Sequence, residues 1–322
     1  MSDITISSST YAGELAEGYL AAALTTADSI ANNFVTLHEN VKFKKVLQVF
    51  SQDGNLIQDF ACNWGTAGQL TLAEKVLTVS EFKVNLEFCK EQFRSTWQAY
   101  ETGRGFIEDQ MPASIEDFII MYVAEIVQEN VEYNLWQGNY DPAGASPTYT
   151  DFNGICQILE GDAATNDIDL VDTDGTTQIT AFANGEQVVY NMNLILNALP
   201  SRLRKREKFR FFVSPKTRDL YLQRLAELGW QDVYYSNDGT ASARFQSYEV
   251  VAPAGFPDDT IIYGNSENFH VGTDLVSDTN EVKVLDMSLL DGSDNVRTAM
   301  RWTFGTQVGV AGDVYMAFPD AV

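Results

Sequence analysis

Residues 114–138, SIEDFIIMYVAEIVQENVEYNLWQG, constrain the fold more than any other stretch of the chain. Ile115, Phe118, Ile119, Tyr122, Val123, Ile126 and Val131 keep the spacing of a helix face, which predicts a helix over 115–137. Ser114 suits its N-cap, Asp117 suits the capping-box acid, and Gly138 stands where a terminating glycine belongs. At about 1.5 Å per residue this is a rod of roughly 35 Å, about twice an average helix. Glu125, Glu129 and Glu132 interrupt it too often for a membrane span, and it is too isolated for a coiled coil. Such a rod needs apolar cover from the rest of the chain. With 45% hydrophobic residues, 19 Phe and 14 Tyr, the 322 residues can supply it as one large or two ordinary domains.

The flanking segments point to an α+β class. Residues 1–40 read as an arm, because Gly13 and Gly18 weaken the helix that YAGELAEGYLAAALTTADSI would form. Residues 44–60, KKVLQVFSQDGNLIQDF, read as a hairpin turning at Asp53-Gly54. In EFKVNLEF, Phe82, Val84, Leu86 and Phe88 alternate with Glu81, Lys83, Asn85 and Glu87, the pattern of a half-buried strand. The interval 61–79 gives no clear assignment, so 41–88 as a whole reads as one long β-rich excursion. A short helix is expected over about 89–101, and the Gly- and Pro-rich stretch 138–150 marks a boundary. Beyond it, residues 185–199 read as a helix ending at Pro200, FRFFVSP as a strand, and KTRDLYLQRLAELG as an amphipathic helix. A hairpin is expected near Asp238-Gly239. YEVVAPAGFPDDTIIYG reads as two strands joined by a Pro-Gly loop, and the chain is β-like after Gly264.

No motif for chemistry stands out. His38 and His270 are the only histidines and form no HxxxH or HExxH pattern, so each reads as structural. Cys62, Cys89 and Cys156 make neither a CxxC nor a disulfide framework, which suggests a reducing compartment. P-loop and GxSxG patterns are absent. The acidic run Glu160, Asp162, Asp167, Asp169, Asp172 and Asp174 fails as an EF-hand. Aligning Gly175 with that loop's glycine puts Leu170 and Ala181 where carboxylates are required. The expectation is therefore no catalytic residue, cofactor or metal, and no enzyme. The first basic residue is Lys42, which speaks against a targeting peptide, and no apolar run suits a membrane.

The order of these parts resembles the major capsid protein of tailed phages, the Hong Kong 97 fold. The resemblance rests on texture along nearly the whole chain. It includes the strand-then-helix step FRFFVSPKTRDLYLQRLAEL, the strand, proline loop and strand of YEVVAPAGFPDDTIIYGNSENFHVG, and the closing AMRWTFGTQVGVAGDVYMAF. It implies an N-terminal arm at 1–40, an extended E-loop at 41–88 and a P-domain with its spine helix at 89–149. It further implies an A-domain at 150–264 and return strands at 265–322. The function it implies is self-assembly through pentamers and hexamers into an icosahedral shell around double-stranded DNA. Implied partners are other copies of the chain, with scaffold, portal and auxiliary capsid proteins. The place is the virion, after assembly in the host cytoplasm. Some relatives cross-link an E-loop lysine, but no local motif supports that chemistry at Lys75 or Lys83. Encapsulin-like nanocompartments share the fold, and a soluble non-viral α/β binding protein or enzyme is the alternative from another class.

One block stands apart in a chain of formal net charge −24. Residues 201–210, SRLRKREKFR, carry Arg202, Arg204, Lys205, Arg206, Lys208 and Arg210 against Glu207 alone. It reads as a solvated face, as a subunit contact to an acidic segment such as 160–174, or as a DNA contact. A strongly adhesive wall would hinder DNA entry and exit, so only weak DNA contact is expected. The candidate interface residues are Arg202, Arg204, Lys205, Arg206 and Lys208 with the apolar Phe82, Val84, Leu86 and Phe88.

Overall fold

A computed structural model describes residues 9–12, 28–53, 57, 62, 69–89, 115–140, 151–204, 208–229, 243–274, 281–287, 292–293 and 295–319. The expected helix is α2, Ile115–Gln137, with the bounds its periodicity predicted. A short helix, α3 (Ile155–Gly161), packs beside it, and their shared core holds residues of two sheets.

The first sheet runs β1 (Ser9–Ala12), β12 (Glu281–Asp286), β13 (Asn295–Val308), β11 (Phe269–Gly272) and β2 (Thr36–His38). β5 (Ser80–Cys89) also pairs with β13, antiparallel, from Phe82 opposite Trp302 to Phe88 opposite Val296. The second sheet runs β6 (Asn166–Asp169), β14 (Tyr315–Phe318), β10 (Ile261–Asn265), β7 (Phe209–Val213), β9 (Tyr248–Val251) and β8 (Arg244–Phe245). Both faces of this second sheet are covered, so its strands are apolar on both sides. In β7, Phe209, Phe211 and Val213 face the layer of α4 (Gly185–Ala198) and α5 (Pro215–Glu227), while Phe212 joins the core around α2. Local caps set these two helices. Asn184 accepts from Gln187 N at 3.0 Å, and Ser214 accepts from Thr217 N at 3.1 Å with Pro215 following.

The carboxyl half of α2 is the centre of the first core. Trp136 is fully buried, with ring centroids at 5.0 Å from Phe256, 5.5 Å from Phe212 and 5.9 Å from Phe269. Its Nε1 donates to Ser29 Oγ at 2.7 Å. Ser29 in turn donates through Oγ to Glu132 Oε1 at 2.5 Å and through N to Oε2 at 3.1 Å. Burial pushes the Glu132 carboxyl up, and the Ser29 donors oppose that shift. The short helix α1, Asp28–Ala31, is thereby pinned to α2.

Gly138 does follow α2, but not as a left-handed cap. A Cβ there would lie 2.2 Å from Phe152 O and 2.5 Å from Asn134 O, because the chain crosses itself at this point. Gly255, in the Pro-Gly loop between β9 and β10, meets α2 in the same way. Its Cβ would lie 2.3 Å from Glu132 O and 2.8 Å from Tyr133 N, both backbone atoms. Gly255→Ala is therefore expected to push the loop off the helix. The loss includes the Gln137 Nε2 to Gly255 O bond of 2.8 Å, and stability should fall by about 1–3 kcal/mol in a denaturant titration. The strands this loop joins are not neighbours. Each pairs with β7, β9 parallel and β10 antiparallel.

The hairpin differs from the sequence expectation. β3 (Lys44–Asp53) pairs with β4 (Gln69–Thr78), with Asp53 opposite Gln69. Asp53-Gly54 is therefore not a two-residue turn. β4 lies in the interval that periodicity left unassigned, and β5 pairs with β13 of the first sheet. The expected short helix at 89–101 overlaps β5 at Cys89, and its remainder lies outside the described residues, as do Ser114 and the expected turn at Asp238-Gly239.

Candidate subunit-contact surface

Residues opposite one another in an antiparallel pair share a face. One face of the β3–β4 hairpin presents Val46 opposite Val76, with Leu72 further along. These side chains are 49%, 38% and 47% exposed. Phe43 is exposed beside them at the root. The other face carries Leu77, which is fully buried, and half-buried Leu47 and Val49. Each side of the hairpin thus carries apolar residues among polar ones, with one side turned to the chain's own core and the other to solvent. It is held at three places. Gln307 Nε2 donates to Val76 O at 2.9 Å, Lys75 pairs with Asp162, and Lys45 reaches His38. The Lys75 bond holds the Asp162 carboxyl below its ordinary value.

Phe82, Val84, Leu86 and Phe88 alternate as expected, but they pack against the chain's own core. Phe82, Val84 and Leu86 line a cleft of about 330 Å³ opposite Val123 and Val127 of α2. Among the described residues the exposed large apolar side chains include Val46, Leu72 and Val76 of the hairpin face, besides Phe43 at its root and Ile57, Tyr140 and Leu228 elsewhere. Val46 fell in the expected hairpin, while Leu72 and Val76 lay in the interval the sequence left unassigned.

The described members of the basic block all have partners within the chain. Arg202 Nη2 lies 3.0 Å from Asp313 Oδ1, and Lys208 Nζ 2.5 Å from Glu267 Oε1. Arg210 pairs with Glu249 at 2.9 Å and lies over the Phe34 ring. Arg204 closes the carboxyl end of α4, donating from Nη2 to Leu196 O at 2.6 Å and from Nε to Leu199 O at 3.2 Å. Leu196 O also accepts from the cap Leu199 N at 3.4 Å, and a cation at this end suits the helix dipole. Arg204→Ala should cost about 1 kcal/mol, read as a lower melting temperature of the subunit. Arg202 and Lys208 keep 61% and 58% of their side-chain surface in water. Lys205 and Arg206 lie outside the described residues.

The acidic run is spread over a helix end, β6 and turns. Asp174 accepts from Thr176 N, Thr177 N and Thr177 Oγ1, which holds its carboxyl down to about 2. Among the described residues no three His, Cys, Asp or Glu side chains gather as a metal-binding group. The two histidines, 232 residues apart, meet at 3.0 Å.

No protein-family model matches the sequence, and no curated protein matches it. Solved structures do. A chain of the satellite phage P4 procapsid, which includes the size determination protein, is 12% identical with a TM-score of 0.59, covering 94% of this chain and 97% of that one. A chain of the capsid of Myoviridae phage XM1 is 9% identical with a TM-score of 0.54 and covers 90% of each. A chain of Mycobacterium phage Cain is 14% identical with a TM-score of 0.51, covering 99% of this chain and 93% of that one. A β-hairpin rooted in a sheet, a long helix across the core and a second helix-covered sheet are thus found together with whole-chain similarity to phage capsid structures, and the chain has the Hong Kong 97 capsid fold.

Proposed function

We propose that this chain is the major capsid protein of a tailed phage, assembling through pentamers and hexamers into an icosahedral shell around double-stranded DNA. The observation that carries the proposal is the hairpin. Its outer face exposes the Val46–Val76 pair and, beyond the polar Gln48–Glu74 pair, Leu72, while its inner face is rooted in the chain's own core. An exposed apolar face on a strand pair seeks a partner, and repetition over a closed symmetric shell supplies one for every copy. In this reading 1–40 is the N-terminal arm, 41–88 the E-loop with the hairpin as its rigid part, and 89–149 the P-domain. Residues 150–264 form the A-domain and 265–322 the return strands. The role is structural rather than enzymatic.

Arg202 and Lys208, with Lys205 and Arg206, are proposed contacts to an acidic segment of a neighbouring copy. Exposed pairs contribute about 0–1 kcal/mol each, so they set register more than strength. Phe82, Val84, Leu86 and Phe88 form the floor on which a neighbour's apolar residues can extend the core. The net charge of −24 keeps contact with packaged DNA weak. Scaffold and portal proteins are the further partners, and the site is the virion after assembly in the host cytoplasm.

The test is light scattering and negative-stain microscopy of the purified protein, expressed with and without its neighbouring genes. Closed particles or rings of five or six support the proposal. DNA within the particles favours the virion over an encapsulin-like compartment, which would hold protein cargo. A stable 35.8 kDa monomer under both conditions overturns it.

A further inference from the structure

His38 and His270 stand on neighbouring parallel strands, with Thr36 opposite His270 and His38 opposite Gly272. Their ring centroids are 5.1 Å apart. His38 Nε2 lies 3.0 Å from His270 Nδ1, and Lys45 Nζ lies 2.8 Å from His38 Nδ1. Lys45 belongs to β3 at the root of the hairpin, opposite Leu77.

The chemistry of these groups allows one assignment of protons. An ammonium group only donates, so His38 Nδ1 accepts. The proton of neutral His38 then sits on Nε2 and is donated to His270 Nδ1. His270 keeps its own proton on Nε2. A proton added to His38 would turn an N–H against the ammonium. A proton added to His270 would turn two N–H groups against each other. The relay from Lys45 through His38 to His270 is complete only while both imidazoles are neutral, and it joins β3, β2 and β11.

The surroundings favour the neutral rings. Burial, then the charges of His38 and Lys45, press His270 down to about 4, and burial and Lys45 press His38 below its ordinary value. Both uncharged and charged groups neighbour the pair. Gln307 of β13 stands opposite His270 and donates to Val76 O of β4, and Asn268 of the turn before β11 donates to Val310 O. Glu267 of the same turn is engaged by Lys208, Lys75 of β4 by Asp162, and Glu39 follows His38 in the chain.

We propose that Lys45, His38 and His270 form a proton-operated latch, which fastens the root of the hairpin to the first sheet at neutral pH and releases it on acidification. A histidine whose folded value is lowered contributes stability that is complete above its unfolded value of 6.5 and is lost as pH falls from there toward 4. The latch lies within one chain, so it does not depend on the shell reading.

The test is hydrogen exchange over 44–53 and 69–78 of the full chain from pH 7.5 to 4.5, corrected for the intrinsic pH dependence of exchange. Imidazole NMR titrations accompany it. Both histidines should titrate below 6.5, and corrected exchange at 44–47 should rise about tenfold between pH 7 and 5, the loss of one charged hydrogen bond. His270→Gln should abolish that rise, and Lys45→Met should move the His38 midpoint upward. Histidines that titrate near 6.5, or an equal rise in His270→Gln, overturn the latch. Either result is read on free subunits or on particles, so it is independent of whether shells form.

Discussion

Trp136→Ala is expected to remove about 3–5 kcal/mol from the folded subunit. The side chain is fully buried where α2 meets both sheets, and Phe212, Phe256 and Phe269 come from three different elements to surround it. Truncation leaves a cavity that rings held by two strands and a packed loop cannot collapse into. It also removes the donor to Ser29, loosening the Ser29–Glu132 pair that holds α1 to the helix. Domains of this kind are stable by only about 5–15 kcal/mol, so the variant should lose soluble protein at 37 °C and unfold at markedly lower denaturant. Trp136→Phe should recover much of the packing but not the Ser29 bond. Unfolding of Trp136→Ala at the parent's denaturant midpoint would show that the aromatic cluster is not the centre of the core.

The second large effect is expected on assembly and not on folding. Leu72→Glu combined with Val76→Glu places two charges on the outer hairpin face. Both side chains stand open to water in the subunit, so its melting temperature should change little. A contact that desolvates two unpaired carboxylates costs several kcal/mol, repeated at every copy. Particles should therefore be absent from the double variant, with folded subunits or small oligomers in sedimentation velocity. Normal shells from it would show that this face is not where copies meet. Leu47→Glu, on the inward face, is the control and should damage folding instead.

The parts of the fold carried by local periodicity were legible in advance. α2 has its predicted bounds because its apolar spacing is that of a helix, and β5 alternates as EFKVNLEF suggested. β7 follows from FRFFV and α5 from the amphipathic KTRDLYLQRLAELG, although Ser214 and Pro215, read as the end of the strand, begin the helix. The hairpin was half legible. Asp53-Gly54 has the chemistry of a tight turn, yet β3 continues to Asp53 and pairs with β4 from Gln69. Strand register depends on the partner, and no short window contains both strands.

The candidate site was harder to read for the same reason. The basic block was visible as charge, but its described members engage Leu196, Leu199, Glu249, Glu267 and Asp313. Three of these partners lie 39 to 111 residues away along the chain. Composition shows how much charge a segment carries and not which group neutralises it. The histidines looked isolated until the parallel pairing of β2 with β11 set them side by side.

The sequence by itself determined where the long helix and the alternating strands lie, and an order of parts that resembles the capsid fold. It could do so because side-chain periodicity is a property of a few consecutive residues. Only the tertiary structure decided that Phe82, Val84, Leu86 and Phe88 pack, partly buried, against the chain's own core while Val46, Leu72 and Val76 are left open. It alone decided that Arg204 caps a helix and that His38 meets His270. These are choices of register and packing between segments tens to hundreds of residues apart, made by burying as much apolar surface as the whole chain allows.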